Sequence, residues 1–357
     1  ANLFFKKLNM KKKNSTVQLV KHKKKNYLKD KKIKKIYKIF KNILFKHIKY
    51  ESFCIGVSGG PDSLALAYLS KIYSKEFKTK YRVLIVNHRL RKESAKEAKE
   101  VKSILLKERI LSKILKWKGE TPKSNIQSNA RQIRHGLLLK ECYSLKIKNL
   151  ILGHQMNDFI ESFLIRLFRG SGLKGLTSFN QVSFLNKNNQ KIIRPLITIK
   201  KKDLIYISKK IFGKYILDPT NFNEKYLRTR IRNHINNFKS DGLDINKIKL
   251  TIKNLQIAED SLDYYFQKSI QKYVRQINQN KWLISNKIFD QESKEIIFRA
   301  TGFVISKVGN TYYYPRGKNL QNLIEKMRNT KPLKVTLGKC IIERVKNSFI
   351  VSNEFKV

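Results

Sequence analysis

Acidic residues are scarce in this chain: 26 Asp and Glu stand against 78 Lys and Arg in 357 residues, a formal net charge of +52. An imbalance of that size draws polyanions, and nucleic acid is the first partner it suggests. Abundant Lys, Ile and Asn also fit an AT-rich coding bias that writes lysine onto neutral surfaces. Cysteine is rare too. Cys54, Cys142 and Cys340 lie far apart with no C-x-x-C pair, which points to a reducing compartment and away from a zinc ribbon or a cysteine-held iron–sulfur cluster. No apolar run reaches 18 residues, so no membrane-spanning helix is expected. The first fifty residues hold 18 Lys, no Arg and one acid, Asp30. Transit peptides are rich in Arg and Ser, and Leu3-Phe4-Phe5 is too short for a signal-peptide core. A Walker loop is absent as well: nowhere does Gly precede four residues and then Gly-Lys-Ser/Thr. What remains is a globular composition, 41% hydrophobic with 20 Phe and 16 Tyr, long enough for two domains.

The organising stretch is Cys54-Ile55-Gly56-Val57-Ser58-Gly59-Gly60-Pro61-Asp62-Ser63-Leu64-Ala65-Leu66. Its β-forming run stops at Ser58-Gly59-Gly60, and a helical pattern starts at once, so the order is strand, glycine turn, helix. Gly59 and Gly60 let the backbone approach a ligand. Ser58 and Ser63 add hydroxyls, and the free amides of a first helical turn favour an anion. An ordinary Gly-rich βα turn is the bland alternative. The Ser-Gly-Gly-x-Asp-Ser form resembles the pyrophosphate loop of the N-type ATP pyrophosphatases, which cut ATP between its α- and β-phosphates to adenylate a substrate. That resemblance implies ATP on Ser58, Gly59, Gly60, Pro61, Asp62 and Ser63, with the Asp62 carboxylate as a Mg²⁺ ligand.

A βα rhythm continues: strands over 81–86, 111–117 and 149–152, helices over 94–106, from the Ser124-Asn125 cap to about Tyr143, and from Asp158 to Phe168. It predicts an α/β fold with a doubly wound parallel sheet. Ligands gather at the carboxyl ends of such strands, where Ser58, Asn87, His88 and His154 fall. Arg131 and Arg134 share a helix face; they suit either charge neutralisation on a triphosphate or a solvated surface. His154 and Asp158, four apart, suit either an acceptor or Mg²⁺ site or a helix cap. The basic glycine loop Arg166 to Leu176 either wraps a phosphate or RNA backbone or simply ends a helix. Arg194-Pro195 marks a strand end, a helix is expected over 204–212, Asp218-Pro219-Thr220-Asn221 a turn, and Arg228, Arg230 and Arg232 lie on a short helix over 226–235.

Together these stretches resemble the tRNA(Ile)-lysidine synthetase family over about Ile55 to Arg232. The pieces are Ser58 to Ser63, Val86-Asn87-His88-Arg89-Leu90-Arg91, Asn129-Ala130-Arg131-Gln132-Ile133-Arg134 and Gly153-His154-Gln155-Met156-Asn157-Asp158-Phe159-Ile160-Glu161. Arg169-Gly170-Ser171-Gly172-Leu173-Lys174-Gly175-Leu176, Arg194-Pro195-Leu196, and Asp218 to Asn221 with Tyr226 to Arg232 follow in order. The family usually has Tyr where His135 stands and often Asp where Asn157 stands, which makes Asp158 the acidic candidate there. The resemblance implies adenylation of the C2 carbonyl oxygen of the wobble cytidine in tRNA(Ile) with a CAU anticodon, then displacement of AMP by the amine of free L-lysine. It implies ATP and Mg²⁺ at Asp62, charge stabilisation by Arg131 and Arg134, and His154 and Asp158 on the base or the lysine. Arg169, Gly172, Gly175, Arg228 and Arg232 would guide lysine or tRNA. A homodimer is expected on the same ground.

The chain divides by expectation into a basic arm and helix over 1–50, a catalytic domain over 51–240, a connecting helix over 241–278 and a small α+β tRNA-binding region over 279–357. Within the last, Tyr312 to Tyr314 beside Arg316 and Lys318 suit base stacking or an ordinary strand, and 335–340 with 349–351 suggest a terminal hairpin. No membrane partner is expected; the setting is a bacterial cytoplasm or a plastid stroma. Two rival readings are another tRNA-modifying enzyme of the superfamily, a thiolase, whose two-thiocytidine form usually needs paired cysteines, and a basic RNA-binding protein without catalysis.

Overall fold

The computed structural model describes residues 29–89, 93–119, 126–185, 189–217, 224, 227–240, 242, 244–311, 314–329 and 331–355. The arm before Lys29, the Ser124-Asn125 cap, the Asp218 to Asn221 turn and the pair Tyr312-Tyr313 lie outside these. The chain forms two compact units, Ala1–His154 with Leu185–Leu217, and Gln155–Phe184 with Asp218–Val357.

In chain order the elements are α1 (Lys31–Ile48), β1 (Phe53–Val57), α2 (Pro61–Glu76), β2 (Tyr81–Asn87), α3 (Ser94–Lys107), β3 (Ser112–Lys116), α4 (Ile126–Ser144), β4 (Asn149–Leu152), α5 (Met156–Leu167), α6 (Leu173–Thr177), β5 (Val182–Leu185), β6 (Gln190–Ile193) and α7 (Lys201–Phe212). They continue with α8 (Leu227–Ser240), α9 (Ile245–Tyr273), β7 (Val274–Asn278), β8 (Lys281–Ser285), α10 (Ile288–Gln291), α11 (Lys294–Val308), α12 (Gly317–Arg328), β9 (Lys334–Leu337), β10 (Cys340–Val345) and β11 (Ser348–Asn353).

The first sheet has the order β3-β2-β1-β4-β6-β5. Its β1–β2, β1–β4, β2–β3 and β4–β6 pairs are parallel, as the alternation of strands and helices predicts. Phe53, Cys54 and Ile55 are fully buried, and so is most of β4; strands covered on both faces need such continuous apolar runs. After β1 the chain moves outward through β2 and β3, then crosses back to lay β4 on the other side. The carboxyl ends of β1 and β4 therefore flank the point where the winding reverses, the usual ligand crevice of an open α/β sheet. Around the first helix, Asp30 accepts from the Ile33 amide at 3.0 Å as N-cap, and Ile33, Ile36, Phe40, Leu44 and Ile48 face the core.

The second unit ends in an antiparallel sheet ordered β7-β8-β11-β10-β9, packed on α11 and α12 over Ile297, Val304, Leu320, Ile342 and Phe349. The expected terminal hairpin is thus part of a larger sheet: Val335 lies on β9 and Cys340 opens β10, which pairs with both β9 and β11. The long helix α9 stops at Tyr273 rather than near Ile277. From Val274 the chain pairs with β8, and that tertiary pairing overrides the helical periodicity. Arg299, 2% exposed, clamps α11 to α9 through two 2.7 Å hydrogen bonds to Glu259.

Candidate active site

The loop between β1 and α2 is built from its own sequence. The Ser63 hydroxyl accepts from the Gly59 amide at 3.1 Å and the Ser58 amide at 3.2 Å, and donates to the Gly60 carbonyl at 2.9 Å. Ser63 is buried, so it braces the loop, while the Ser58 side chain is exposed at the strand end. Gly59 sits at φ +89°, and a Cβ there would meet Val101 Cγ2 at 2.5 Å; only glycine fits. Two further contacts fix the turn: the Ile216 amide donates to the Gly59 carbonyl at 2.9 Å, and the Ser208 hydroxyl of α7 to the Pro61 carbonyl at 2.5 Å. Pro61 opens α2, where its missing N–H costs nothing. The first turn of α2 thus points donors and the positive end of its dipole at whatever sits above β1.

At the neighbouring strand end, a Cβ on Gly153 would lie 3.2 Å from the Asp62 carbonyl and from Ser63 Cα. Glycine there lets the end of β4 close against the loop, and this puts His154 beside it. Asn87 ends β2 with its side chain accepting from the Arg89 amide at 3.1 Å, and His88 Nδ1 lies 3.5 Å from the Ser94 hydroxyl. Ser58, Asn87, His88 and His154 do share the carboxyl edge of the sheet.

Arg131 and Arg134 are exposed on α4. They act electrostatically on His135, which is held down at about 4 by burial and then by Arg131, Arg194 and Arg134. Arg194 itself is buried at the end of β6. Sequence reasoning gave it no role, although Arg-Pro at a strand end was visible. Three guanidiniums around a neutral imidazole concentrate positive charge on the edge that carries the loop, and a polyphosphate would relieve it.

The other candidates lie in the second unit. Asp158 Oδ2 accepts from the Gln155 amide at 3.1 Å, and Gln155 Oε1 from the Asn157 amide at 2.7 Å, a capping box on α5. The same carboxylate takes Arg228 Nη2 at 2.9 Å. Glu161, 1% exposed, accepts from Arg228 Nε at 2.7 Å and from Arg232 Nε at 2.8 Å and Nη2 at 3.2 Å. Burial raises the Glu161 carboxyl, but hydrogen bonding by Arg232 and the charges of Arg228 and Arg232 outweigh it and hold it below its ordinary range. Beneath this network Met156, Ile160, Ile231 and Ile235 join α5 to α8. Sequence reasoning passed over Glu161. Its signal was the match between carboxylates three apart on one helix and arginines four apart on the next.

The glycine loop after α5 is a helix end followed by a helix start. Gly170 takes φ +65°, Gly172 precedes α6 as its N-cap, and Arg166 Nη1 donates to the Gly175 carbonyl at 2.5 Å. Arg169 stays exposed.

A glycine cradle at the switch point of a parallel sheet is an ATP-binding design, and a family profile described as a PP-loop domain matches residues 27–238. The chain is therefore a PP-loop protein that takes ATP as a substrate. Curated relatives narrow this. The tRNA(Ile)-lysidine synthase of Orientia tsutsugamushi is 35% identical over 309 residues, 84% of this chain and 69% of its own length. That of Wolbachia pipientis is 31% identical over 323 residues, covering 88% and 74%. The chain belongs to the tRNA(Ile)-lysidine synthase family, and with it to the ATP-using ligases. Among solved structures a U34-tRNA thiolase from Methanococcus maripaludis superposes with a TM-score of 0.55 at 20% identity, over 64% of this chain and 79% of that one, a likeness of fold. All three cysteines of the present chain are buried. Among the described residues no helix is long and apolar enough to cross a membrane.

Proposed function

We propose that this chain modifies a tRNA, as its relatives' names indicate for them, by joining L-lysine to C2 of the wobble cytidine of tRNA(Ile) with a CAU anticodon. The observation that carries the reading is the Ser63-braced loop at the β1–β4 switch point, taken with the family membership. In the first step the cytidine O2 attacks the α-phosphorus of ATP; the Pα–O bond to the β-phosphate breaks and pyrophosphate leaves. In the second the lysine amine adds at C2, the C2–O bond to AMP breaks, and the amine gives up a proton to a base. A carbonyl oxygen leaves readily only after phosphorylation, so adenylation comes first.

Within this reading Ser58, Gly59, Gly60, Pro61, Asp62 and Ser63 hold the phosphates, with Ser63 acting mainly on the loop itself. Arg131 and Arg134, supported by Arg194, stabilise charge on the transferring phosphoryl group. His154 and Asp158 hold the base or the lysine, and Arg169, Gly172, Gly175, Arg228 and Arg232 guide lysine or tRNA. Asp158, Arg228 and Arg232 would do so through the Glu161 network. Mg²⁺ fits the donor set. Among the described residues no cluster of three His, Cys, Asp or Glu could hold a metal, whereas Mg²⁺ is commonly held by one carboxylate and the substrate phosphates; Asp62 lies in the first turn of α2, where those phosphates would lie. Bound there it would supply charge neutralisation.

Incubation with ATP, Mg²⁺, labelled lysine and two transcripts, tRNA(Ile) with CAU and the initiator tRNA(Met) that shares the anticodon, tests the proposal. Label in the isoleucine tRNA alone is expected. Label in neither would overturn it and favour a thiolase or a binder without catalysis.

A further inference from the structure

The outer face of α1 has no role in the reaction described above. Lys31, Lys35, Lys38, Asn42, Phe45 and Lys49 follow one another in steps of four and three residues, so they form one stripe along the helix. All are exposed, and Lys34 and Lys46 lie beside them, also exposed. None of these lysines is ion-paired among the described residues. The carboxylates around α1 are occupied: Asp30 accepts from Tyr206 at 2.7 Å and from Lys210, Asp203 pairs with Lys32 at 2.9 Å, Glu76 accepts from Tyr37 and from Lys41 at 2.9 Å, and Glu51 from Asn149 at 2.7 Å.

At its carboxyl end the stripe runs into aromatic rings. Phe45 and Phe77 have centroids 5.2 Å apart, and Tyr50 packs edge-on to them at 5.8 and 6.0 Å. Tyr50 is 67% exposed and Phe45 36%, unusual for large rings on so polar a surface. A pocket of about 370 Å³ opens between Lys41, Asn42, Phe45, Lys46 and Phe77. Phe77 follows the last residue of α2 and the loop precedes its first, so the pocket lies about 24 Å from the loop, the length of a 16-residue helix.

Lysines in a row with stacking rings at one end are the parts of a site for single-stranded nucleic acid. An anionic membrane would also draw the lysines. However, an interfacial helix inserts its apolar face, and that of α1 is spent on the core, where Ile33, Phe40 and Leu44 are fully buried. Ahead of α1 the sequence adds nine lysines and no acid in residues 1–28.

We infer that this face is a second contact surface for the tRNA, remote from the reacting base: the α1 lysines meet successive phosphates, and the pocket between Phe45 and Phe77, with the exposed ring of Tyr50 packed beside it, takes one unstacked base. The inference rests on the tRNA-modifying reading above. It is tested by the affinity of the full chain for the CAU transcript across a salt series, with K35E/K38E/K46E, Y50A and Y50F. The triple charge reversal should weaken binding at least tenfold and flatten the salt slope by about three. Y50A should weaken it by about tenfold with the slope kept, and Y50F, which keeps the ring, should restore it. Wild-type affinity and slope in both the reversal and Y50A would overturn the inference. So would a reversal that abolishes binding to phosphatidylglycerol vesicles while leaving tRNA binding intact. Lysine transfer by the wild-type chain tests the underlying reading separately: transfer without the patch signature sinks only this surface, and the patch signature without transfer leaves an RNA surface on a protein of another activity.

Discussion

Two arginine pairs sit on helices at nearly the same spacing and are used differently. Arg228 and Arg232 on α8 are four apart, and both are turned onto the buried carboxylate of Glu161, with Asp158 closing the set. Arg131 and Arg134 on α4 are three apart and exposed, and burial, then these two charges with that of Arg194, keeps His135 neutral. In the first pair the carboxylates of the protein itself fix the guanidiniums, and most of the interaction goes into joining α5 to α8. In the second, like charges face one imidazole, an arrangement that favours a bound anion. Spacing alone does not separate these fates. What fixes Arg228 and Arg232 is the facing helix α5, which carries carboxylates at a matching interval.

The contrast is open to test, beginning with the largest effect. Glu161→Gln should destabilise the second unit by about 3 kcal/mol in thermal or urea unfolding, because two partly buried guanidiniums lose their acceptor. Since the folded Glu161 carboxyl is held below its unfolded range near 4.3, its contribution is full above that pH and is lost as pH falls through the lower folded value. The acid side of the stability curve should therefore flatten in Glu161→Gln. An unchanged melting temperature would show that the network contributes nothing to stability.

Arg131→Ala, by contrast, should melt with the wild type yet lose about a hundredfold or more in tRNA-dependent pyrophosphate release. A lower melting temperature with turnover intact would reverse the assignment of the two pairs. Ser63→Ala should show a mixed effect. Loss of its hydrogen bonds should cost about 1–2 kcal/mol in unfolding and raise the KM for ATP, because the loop loses its brace; a normal KM would separate loop geometry from ATP binding.

The smallest effect concerns His135. Its folded value near 4 lies under the unfolded value of about 6.5, so between those limits the unfolded chain binds the proton and stability falls as pH falls. Replacement by tyrosine should remove that slope while sparing stability at pH 7. A slope that survives in His135→Tyr would place its source elsewhere.

Much of the first unit is legible in the sequence alone. Buried strands of a parallel sheet are nearly all apolar, so Phe53 to Val57 and Asn149 to Leu152 declared themselves, and Ser58 to Ser63 could only be a turn opening a helix. Glu161 was not legible, because a carboxylate in a helix reads as surface until the facing helix is known. The same holds for the brace that Ser63 makes on Ser58 and Gly59, which only the folded loop reveals. Pairing partners distant in sequence also hid the second sheet: Val274 to Asn278 continues a helical pattern and becomes a strand only because β8 lies beside it. Likewise nothing in the sequence sets Phe45 and Tyr50 apart; Phe77 joins them only across the fold.

In the proposed reaction the loop spends ATP on the tRNA and not on lysine. Exchange of labelled pyrophosphate into ATP, measured with and without the CAU transcript and with and without lysine, tests it most directly. The expected exchange requires the transcript, proceeds without lysine and is lost in Asp62→Asn. Exchange that requires lysine and proceeds without RNA would mean that the amino acid is the group activated, and would contradict it.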